Sequence, residues 1–312
     1  MIPPTYNDVL YAAKRIHGLA NVTPVHTSET INQLAGRELF FKCENFQKTG
    51  SFKYRGATNA IQKLDDATAA RGVVTHSSGN HAQALALAAK VRGISAHVVM
   101  PHTASAVKKH AVLGYGGIVI ECEPTLADRE RVANGIVAKT GGTLIPPFDH
   151  PDVIAGQGTA ALEFLVQVPQ LEAIIVPVGG GGMISGYCVA AAGAATQIKI
   201  IGAEPHEADD AAQSLTSGER QPAKPPTSIA DGLLTSLGNL TWPIILKHVS
   251  VIYTVSEAEI RSAMRLVWER MKLVIEPSAA VGVAVALREP LDAKRVGVVL
   301  CGGNVSLDKL YW

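Results

Sequence analysis

Three apolar segments alternate with three helix-like segments between residues 72 and 142, and this alternation restricts the fold more than any other feature. Strands are predicted at 72–75, 96–100 and 118–121, and helices at 80–90, 105–113 and 125–139. Three such β-α units in about 70 residues favour a small parallel sheet with helices on both faces.

A second series of strands and helices follows along the chain. Strands are predicted at 173–178, 199–203 and 296–300, and helices from Met183, over 256–271 and over 276–287. We therefore predict an α/β protein with two doubly wound parallel-sheet domains and a cleft between them. The large domain would comprise 1–68 and 144–312, and the small inserted domain 69–143.

Two segments have the spacing of a helix capping box. Thr5 precedes Asp8 by three residues, and Ser256 precedes Glu259 in the same way. In such a box the hydroxyl and the carboxylate satisfy N–H groups at the start of a helix. We therefore expect helices to begin directly after Thr5 and after Ser256.

Composition excludes several classes of partner. The 312 residues are 47% hydrophobic, which is enough for a sizeable core. The 28 basic and 27 acidic residues nearly cancel and form no basic patch, so we expect neither nucleic acid nor an anionic membrane as partner. No apolar stretch is long enough to span a bilayer and no secretory signal is visible, so we expect a cytoplasmic protein. The four single cysteines indicate neither a zinc site nor a disulfide framework.

Lys53 lies in the segment 45–57, after a Gly-Ser turn and before a run of small, helix-forming residues. The pattern predicts a loop that leads into a helix, with Lys53 near the helix N-terminus. Helix N-termini favour anions, so a cation is unexpected there. Either Lys53 is an ordinary solvated lysine, or its pKa is lowered so that its amine can form a Schiff base.

A run of four glycines, Gly179, Gly180, Gly181 and Gly182, lies between a predicted strand and a predicted helix. Backbone N–H groups in such a run can converge on an anion, most often phosphate. The alternative is a structural tight turn, although four consecutive glycines cost backbone entropy. The run matches neither a dinucleotide fingerprint nor a Walker loop.

Two other strand ends carry polar residues. The loop 77–81, Ser-Ser-Gly-Asn-His, offers hydroxyl and N–H groups that could bind a substrate carboxylate. The structural alternative is that Ser78 or Asn80 serves as a helix N-cap. Cys301 precedes Gly-Gly-Asn after the last predicted strand. A lone cysteine is usually a small buried hydrophobic residue, but at this position its thiol can also meet the edge of a ligand.

These motifs, taken in order, resemble the fold-type II pyridoxal-phosphate enzymes of the serine/threonine dehydratase and serine racemase group. The segments 46–53, 153–159 and 267–272 look most similar to the eukaryotic-type racemases of that group. Any one motif is weak, but the ordered set extends over nearly the whole chain. A cofactor-binding protein without catalysis is a poor alternative, because Lys53 is present together with every loop that the cofactor needs.

The resemblance implies roles for individual residues. Lys53 would form the Schiff base with the cofactor and act as a base on one face of the substrate Cα, and Ser78 would act on the opposite face. Asn80 would hydrogen-bond the ring oxygen of pyridoxal phosphate, Cys301 would meet its pyridine nitrogen, and Phe52 would pack beside its ring. Lys53 would bind the cofactor covalently, and its phosphate would be held by Gly179, Gly180, Gly181, Gly182 and Met183. The substrate carboxylate would be bound by Ser77, Ser78, His81 and Arg129.

The implied activity is racemisation of serine, with elimination of serine to pyruvate and ammonia as a second reaction. Ser78 favours racemisation, because threonine-type dehydratases resemble Ser-Ala-Gly-Asn-His at this loop and lack the second base. Ala82, the segment 146–149 and Cys301 depart from the animal racemases, and the last two resemble dehydratases. A dehydratase of threonine, serine or 3-hydroxyaspartate therefore stays open as the alternative.

The resemblance also implies a divalent metal, an effector and a partner subunit. Mg²⁺, Ca²⁺ or Mn²⁺ would be bound by Glu204, the carbonyl of Ala208 and Asp210, although a solvated acidic loop is the ordinary alternative. ATP would be bound as an effector, between the subunits of a homodimer. Its candidate residues are Lys48, Thr49, Gln83, Tyr115 and Lys272.

Overall fold

The computed structural model describes residues 1–194, 197–223, 225, 227–308 and 311–312. The α-helices are α1 Tyr6–Ile16, α2 Glu29–Ala35, α3 Lys53–Lys63, α4 Asp66–Ala69, α5 Asn80–Arg92, α6 Ala106–Gly114, α7 Leu126–Thr140, α8 Pro151–Gln167, α9 Gly182–Gly193, α10 Asp210–Ser217, α11 Thr241–His248, α12 Glu257–Met271 and α13 Pro277–Arg288. The strands are β1 Val25–His26, β2 Glu38–Cys43, β3 Val73–His76, β4 Ala96–Pro101, β5 Ile118–Cys122, β6 Thr143–Leu144, β7 Ala173–Pro177, β8 Lys199–Pro205, β9 Val249–Val255 and β10 Arg295–Leu300.

Six strands form the larger sheet, in the order β1-β2-β10-β7-β8-β9. All neighbours are parallel except β1, which pairs antiparallel with β2 at one edge. Adjacent residues of a strand point to opposite faces of the sheet. Helices pack against both of these faces. Gly297 of β10 faces Phe164 of α8, whereas Val298 faces Gly282 of α13. This arrangement confirms a doubly wound sheet.

Residues between 73 and 144 form a second, fully parallel sheet in the order β5-β4-β3-β6. Val98 and Met100 of β4 pack with α5 and α6, while Val99 packs with Ala133 of α7, so helices again cover both faces. β3 and β6, which are the first and last of these strands in chain order, lie next to each other in the sheet. The domain limits 1–68, 69–143 and 144–312 stay a prediction.

Several local predictions are confirmed. Capping boxes occur at Thr5 with Asp8 and at Ser256 with Glu259, and each opens a helix. Strands β2 and β9 and the long helix α8 have no counterpart in the sequence-based prediction. In the described part of the chain, no helix has both the length and the apolar character needed to cross a bilayer.

A buried cluster of charges supports the start of α3. The Arg55 side chain is only 1% exposed, and its guanidinium donates to both carboxylate oxygens of Glu44 and to both of Glu163, at 2.7–2.9 Å. Lys42 Nζ donates to Glu163 at 2.7 Å. Arg55 is two residues after Lys53, so this cluster fixes the helix that carries the candidate catalytic lysine.

Candidate active site

The Lys53 motif and the Cys301 motif lie next to each other in the structure. The backbone N–H of Phe52 donates to the carbonyl of Cys301 at 3.1 Å, and that of Gly303 donates to Gly50 at 2.9 Å. Two motifs separated by about 250 residues therefore form one wall of a single site.

Lys53 is the first residue of α3, as predicted, and no side chain caps this helix. Lys53 as a whole is half-buried, and its Nζ donates to the carbonyl of Pro147 at 2.7 Å and lies 5.1 Å from the centre of the Phe52 ring. Burial lowers the pKa of Lys53 to about 8, although Cys301 and Glu276 oppose this effect. At pH 7 the uncharged fraction of the amine thus rises from about 0.03% to about 10%, which is the property that a nucleophilic lysine requires.

The four glycines connect β7 to α9. Gly181 has a φ of +84° and is the N-cap of α9, and no side chain caps the helix. A Cβ on Gly182 would lie 2.8 Å from Cβ and 3.0 Å from Cα of Phe148, which directly follows the carbonyl that accepts from Lys53. The glycine loop is therefore packed too closely for side chains, and the first N–H groups of α9 remain available for an anion.

The Ser-Ser-Gly-Asn-His loop follows β3 and leads into α5. The helix begins at Asn80 with Gly79 as N-cap and no side-chain hydrogen bond, so the alternative of an N-cap at Ser78 or Asn80 is wrong. Ser77 Oγ accepts only a long bond, 3.4 Å, from the N–H of Gly79. The half-buried Ser78 hydroxyl is therefore not required by the helix.

Asn80 connects the two parts of the molecule. Its Nδ2 donates to Glu276 Oε1 at 2.9 Å, and its Oδ1 accepts from Nδ2 of Asn304 at 2.9 Å. Glu276 is 4% exposed, and burial raises its pKa to about 7, against the opposing hydrogen bond from Asn80. Sequence analysis missed Glu276 and Asn304, although Asn304 lies inside the Cys-Gly-Gly-Asn motif.

Cys301 and His81 are both neutral in this environment. Burial raises the pKa of the Cys301 thiol well above its usual range, which agrees with a neutral partner for a pyridine nitrogen. Burial lowers the pKa of His81 to about 3, and its Nε2 lies 3.0 Å from the carbonyl of Ile145. His81 therefore offers no positive charge to a carboxylate, and its role in substrate binding stays a prediction.

Two cationic side chains lie on the side of the smaller sheet. Arg129 on α7 is half-buried, and its Nε has no hydrogen-bond partner among the described residues. Burial is the main cause that lowers the pKa of His76, and the charge of Arg129 lowers it further. Lys108 on α6 forms an ion pair of 3.0 Å with Asp231, which follows β8 along the chain in the other part of the molecule.

The predicted metal ligands lie together at the end of β8. The Glu204 carboxylate is buried and accepts N–H bonds from Ala211 at 3.1 Å and Ala212 at 2.7 Å, in the first turn of α10. Asp210, also buried, begins that helix, and Ala208 ends the short 3-10 turn before it. Burial, and secondarily the charge of Asp210, raises the pKa of Glu204 well above its usual range. Within the described ranges no three His, Cys, Asp or Glu side chains form a metal cluster.

The predicted nucleotide residues occupy several elements. Lys48 Nζ lies 5.8 Å from the centre of the Tyr54 ring, and the buried Thr49 accepts a hydrogen bond from Asn304. Thr49 and Lys272 have positive φ values of 61° and 58°. Gln83 and Tyr115 are half-buried, on α5 and at the end of α6.

These groups fit pyridoxal phosphate: a lysine of lowered pKa, a glycine loop at an uncapped helix, a neutral thiol and a half-buried asparagine amide. Residues 16–302 match the family described as "Pyridoxal-phosphate dependent enzyme". The chain belongs to this family. Its fold is accordingly that of the fold-type II enzymes, and pyridoxal phosphate is its cofactor.

Full-length relatives within the family have two kinds of name. The chain is 51% identical over 314 residues to the β-hydroxyaspartate dehydratase of Paracoccus denitrificans, with 100% of both proteins covered. It is also 51% identical over 316 residues to the serine racemase of Dictyostelium discoideum, with 99% of this chain and 98% of the relative covered. The crystal structure of that Dictyostelium enzyme superimposes with a TM-score of 0.94 over 97% of this chain and 99% of the other.

Proposed function

We propose that this protein is a serine racemase that also eliminates serine to pyruvate and ammonia. The observation that carries the proposal is that the chain has both a lysine of lowered pKa, Lys53, and a serine hydroxyl, Ser78, that does not cap the helix following it. Racemisation needs an acid/base group on each face of the substrate Cα, whereas elimination needs only one. Serine racemases among the full-length relatives support this choice of reaction.

Each residue would have a separate task. When bound, pyridoxal phosphate would supply an electron sink for the charge that proton removal leaves on Cα. Lys53 would remove or return the proton on one face, and Ser78 on the other. The neutral Cys301 thiol would leave the pyridine nitrogen without a carboxylate counter-charge, so elimination of a β-hydroxyl would compete with reprotonation. The N–H groups of the glycine loop, with Met183 beside them, would hold the phosphate.

The test is L-serine incubated with the cofactor-loaded protein, with D-serine and pyruvate measured in the same tube. We expect both products. Ser78→Ala should abolish D-serine and keep pyruvate, while the neighbouring control Ser77→Ala should not change the product ratio. Pyruvate without D-serine from the unaltered protein would overturn the racemase proposal, and D-serine from Ser78→Ala would remove Ser78 from it.

A dehydratase of 3-hydroxyaspartate is the second candidate, and Arg129 favours it. The β-carboxylate of that substrate needs a cation, and Arg129 holds a buried Nε without a partner among the described residues. The Paracoccus relative supports the same activity. If this is the main reaction, Arg129→Met should raise KM for 3-hydroxyaspartate at least about tenfold and change that for serine or threonine much less. Equal effects on all these substrates would count against it.

A divalent cation, Mg²⁺, Ca²⁺ or Mn²⁺, is proposed at Glu204, the Ala208 carbonyl and Asp210. Two neighbouring buried carboxyl groups support it, because a cation would relieve their mutual repulsion. Exhaustive chelation should lower the melting temperature and activity, and restoring Mg²⁺ should recover both. Unchanged melting after chelation would contradict the site.

An ATP effector and a homodimer are proposed from the family resemblance, and a cytoplasmic location is proposed from the sequence features described above. An ATP titration that changes melting or activity would support the first, and Lys272→Ala should then weaken the response. Light scattering after size exclusion should give about twice the 32.8 kDa of the chain. A monomer at micromolar concentration would contradict the homodimer.

A further inference from the structure

Glu276 is a buried carboxyl group with two hydrogen-bonding duties at the candidate active site. It precedes α13 but makes no capping bond there, so its side chain is free to turn toward the site. Asn80 Nδ2 donates to Oε1 at 2.9 Å and, in a longer branch of the same contact, to Oε2 at 3.2 Å, while Oε2 also accepts from the backbone N–H of Asn304 at 3.1 Å. Both carboxylate oxygens are thus used, by donors from two different cofactor motifs.

The orientation of the Asn80 amide follows from these contacts. Asn304 Nδ2 donates to the carbonyl of Thr49 at 2.7 Å and to Asn80 Oδ1 at 2.9 Å, so its donor side faces Asn80. Turning the Asn80 amide over would bring its oxygen against the Glu276 carboxylate and its NH₂ against the NH₂ of Asn304. When Glu276 is ionised, above its pKa of about 7, acceptor would then face acceptor and donor would face donor, which costs both hydrogen bonds.

We propose that Glu276 is a positioning residue that fixes the Asn80 amide, so that its one remaining N–H points to the ring oxygen of pyridoxal phosphate. The proposal rests on the proposed contact between Asn80 and that oxygen, and it is independent of which substrate reacts. Asn80 belongs to the part with the smaller sheet, and Glu276 to the part with the larger one. Glu276 can therefore fix the orientation of the Asn80 amide only when the part with the smaller sheet is packed against the part with the larger one.

The ionisation of the ring oxygen is the observable consequence. An N–H donor stabilises the oxygen as an anion, whereas an amide carbonyl in the same place would favour the protonated oxygen. The two forms of the ring absorb at different wavelengths. The absorption spectrum of the loaded protein without substrate therefore reports the orientation of Asn80.

Glu276→Gln tests the proposal, because glutamine has nearly the same shape but only one acceptor oxygen. Either Asn80 Nδ2 or the N–H of Asn304 would then face an NH₂ group. We expect the absorption of the loaded protein to shift toward the protonated ring and the affinity for pyridoxal phosphate to fall about tenfold to a hundredfold. The control Glu269→Gln, at an exposed carboxyl on α12 that pairs with Arg265, should change neither.

A double variant, Glu276→Gln with Asn80→Asp, separates positioning from mere stability. It exchanges amide and carboxylate, so that the new amide at position 276 donates to the new carboxylate at position 80 and accepts from Asn304, and the hydrogen bonds among the three residues are restored. Melting should recover, but the spectrum should stay shifted because residue 80 no longer has a donor for the ring. Recovery of the spectrum together with melting, or an unaltered spectrum and affinity in Glu276→Gln, would overturn the proposal. If the unaltered protein takes up no pyridoxal phosphate, the proposed function fails instead.

Discussion

Arg55→Met should be among the most destabilising single substitutions in this protein. The guanidinium makes four charge-assisted bonds of 2.7–2.9 Å to Glu44 and Glu163. Without it, Glu163 keeps Lys42, but among the described residues the fully buried Glu44 keeps as hydrogen-bond donor only the hydroxyl of Thr23, at 2.6 Å. Removing one partner of a buried ion pair leaves an uncompensated charge and costs about 3–5 kcal/mol.

This cost converts into a measurable shift of the melting temperature. An unfolding entropy of about 2.1 cal/mol/K per residue gives about 0.65 kcal/mol/K for 312 residues. Arg55→Met should therefore melt about 5–8 °C lower in calorimetry. Arg265→Met, which removes an exposed pair with Glu269 on α12, is the matched control and should lose about 1 °C.

The loss should also depend on pH. Burial by itself raises the pKa of Glu44, but the charge and hydrogen bonds of Arg55 outweigh it and hold that pKa below its usual value. Without Arg55, burial is opposed only by the charge of Lys42 and the hydrogen bond from Thr23, so we expect the folded-state pKa of Glu44 to lie above the unfolded one. The folded state then gains stability as pH falls through that raised value, and the deficit of Arg55→Met should shrink between pH 8 and pH 5. A loss below about 2 °C, or one that is equal at both pH values, would refute the reasoning.

Three further measurements follow from the candidate site. Gly182→Ala should displace Phe148, which packs against the loop, and weaken pyridoxal phosphate binding at least about tenfold. The control Gly135→Ala, where a Cβ meets nothing within 4 Å, should bind the cofactor normally and raise the free energy of unfolding by up to about 1 kcal/mol. The rate at which apoprotein takes up the cofactor should rise with pH and level off near the Lys53 pKa of about 8; a rate still rising at pH 10 would contradict the lowered pKa. Lys108→Met should raise substrate KM up to about fivefold with little change in melting, because it breaks an exposed pair between the two parts of the molecule. Lys109→Met is the control, because Lys109 on α6 pairs with strand β5 inside the part that holds the smaller sheet. An equal effect of this control on KM would argue against the role of Lys108.

Local chemistry explains what could be predicted from the sequence. A capping box needs only two side chains three residues apart, so those at Thr5 and Ser256 were found correctly. The alternation of apolar strands with alanine-rich helices likewise identified both doubly wound sheets. The position of Lys53 at a helix start was also correct, but the main cause of its lowered pKa is burial, which only the folded chain shows.

Long-range contacts account for what was missed. Glu276 lies 196 residues from Asn80, and no local pattern signals that the two side chains meet. Lys42 gives β2 a charged residue at a position that is fully buried, so its strand lacks a plain apolar pattern. The helix start at Asn80 was predicted correctly, and the alternative of a capping side chain at Ser78 or Asn80 fails because Gly79 is the N-cap and the Asn80 amide contacts Glu276 and Asn304 instead.

The order of strands in the larger sheet has a consequence for biosynthesis. β10 lies between β2 and β7, so the sheet has a gap until the last strand of the chain has been made. At about 5–20 residues per second, β2 would wait about 13–50 s on the ribosome for its partner. The smaller sheet has no such gap, because its four strands follow one another along the chain and the last of them, β6, pairs directly with the first, β3. During translation, the half of the cleft that carries Ser78 can therefore be complete before the wall that pairs Lys53 with Cys301 exists.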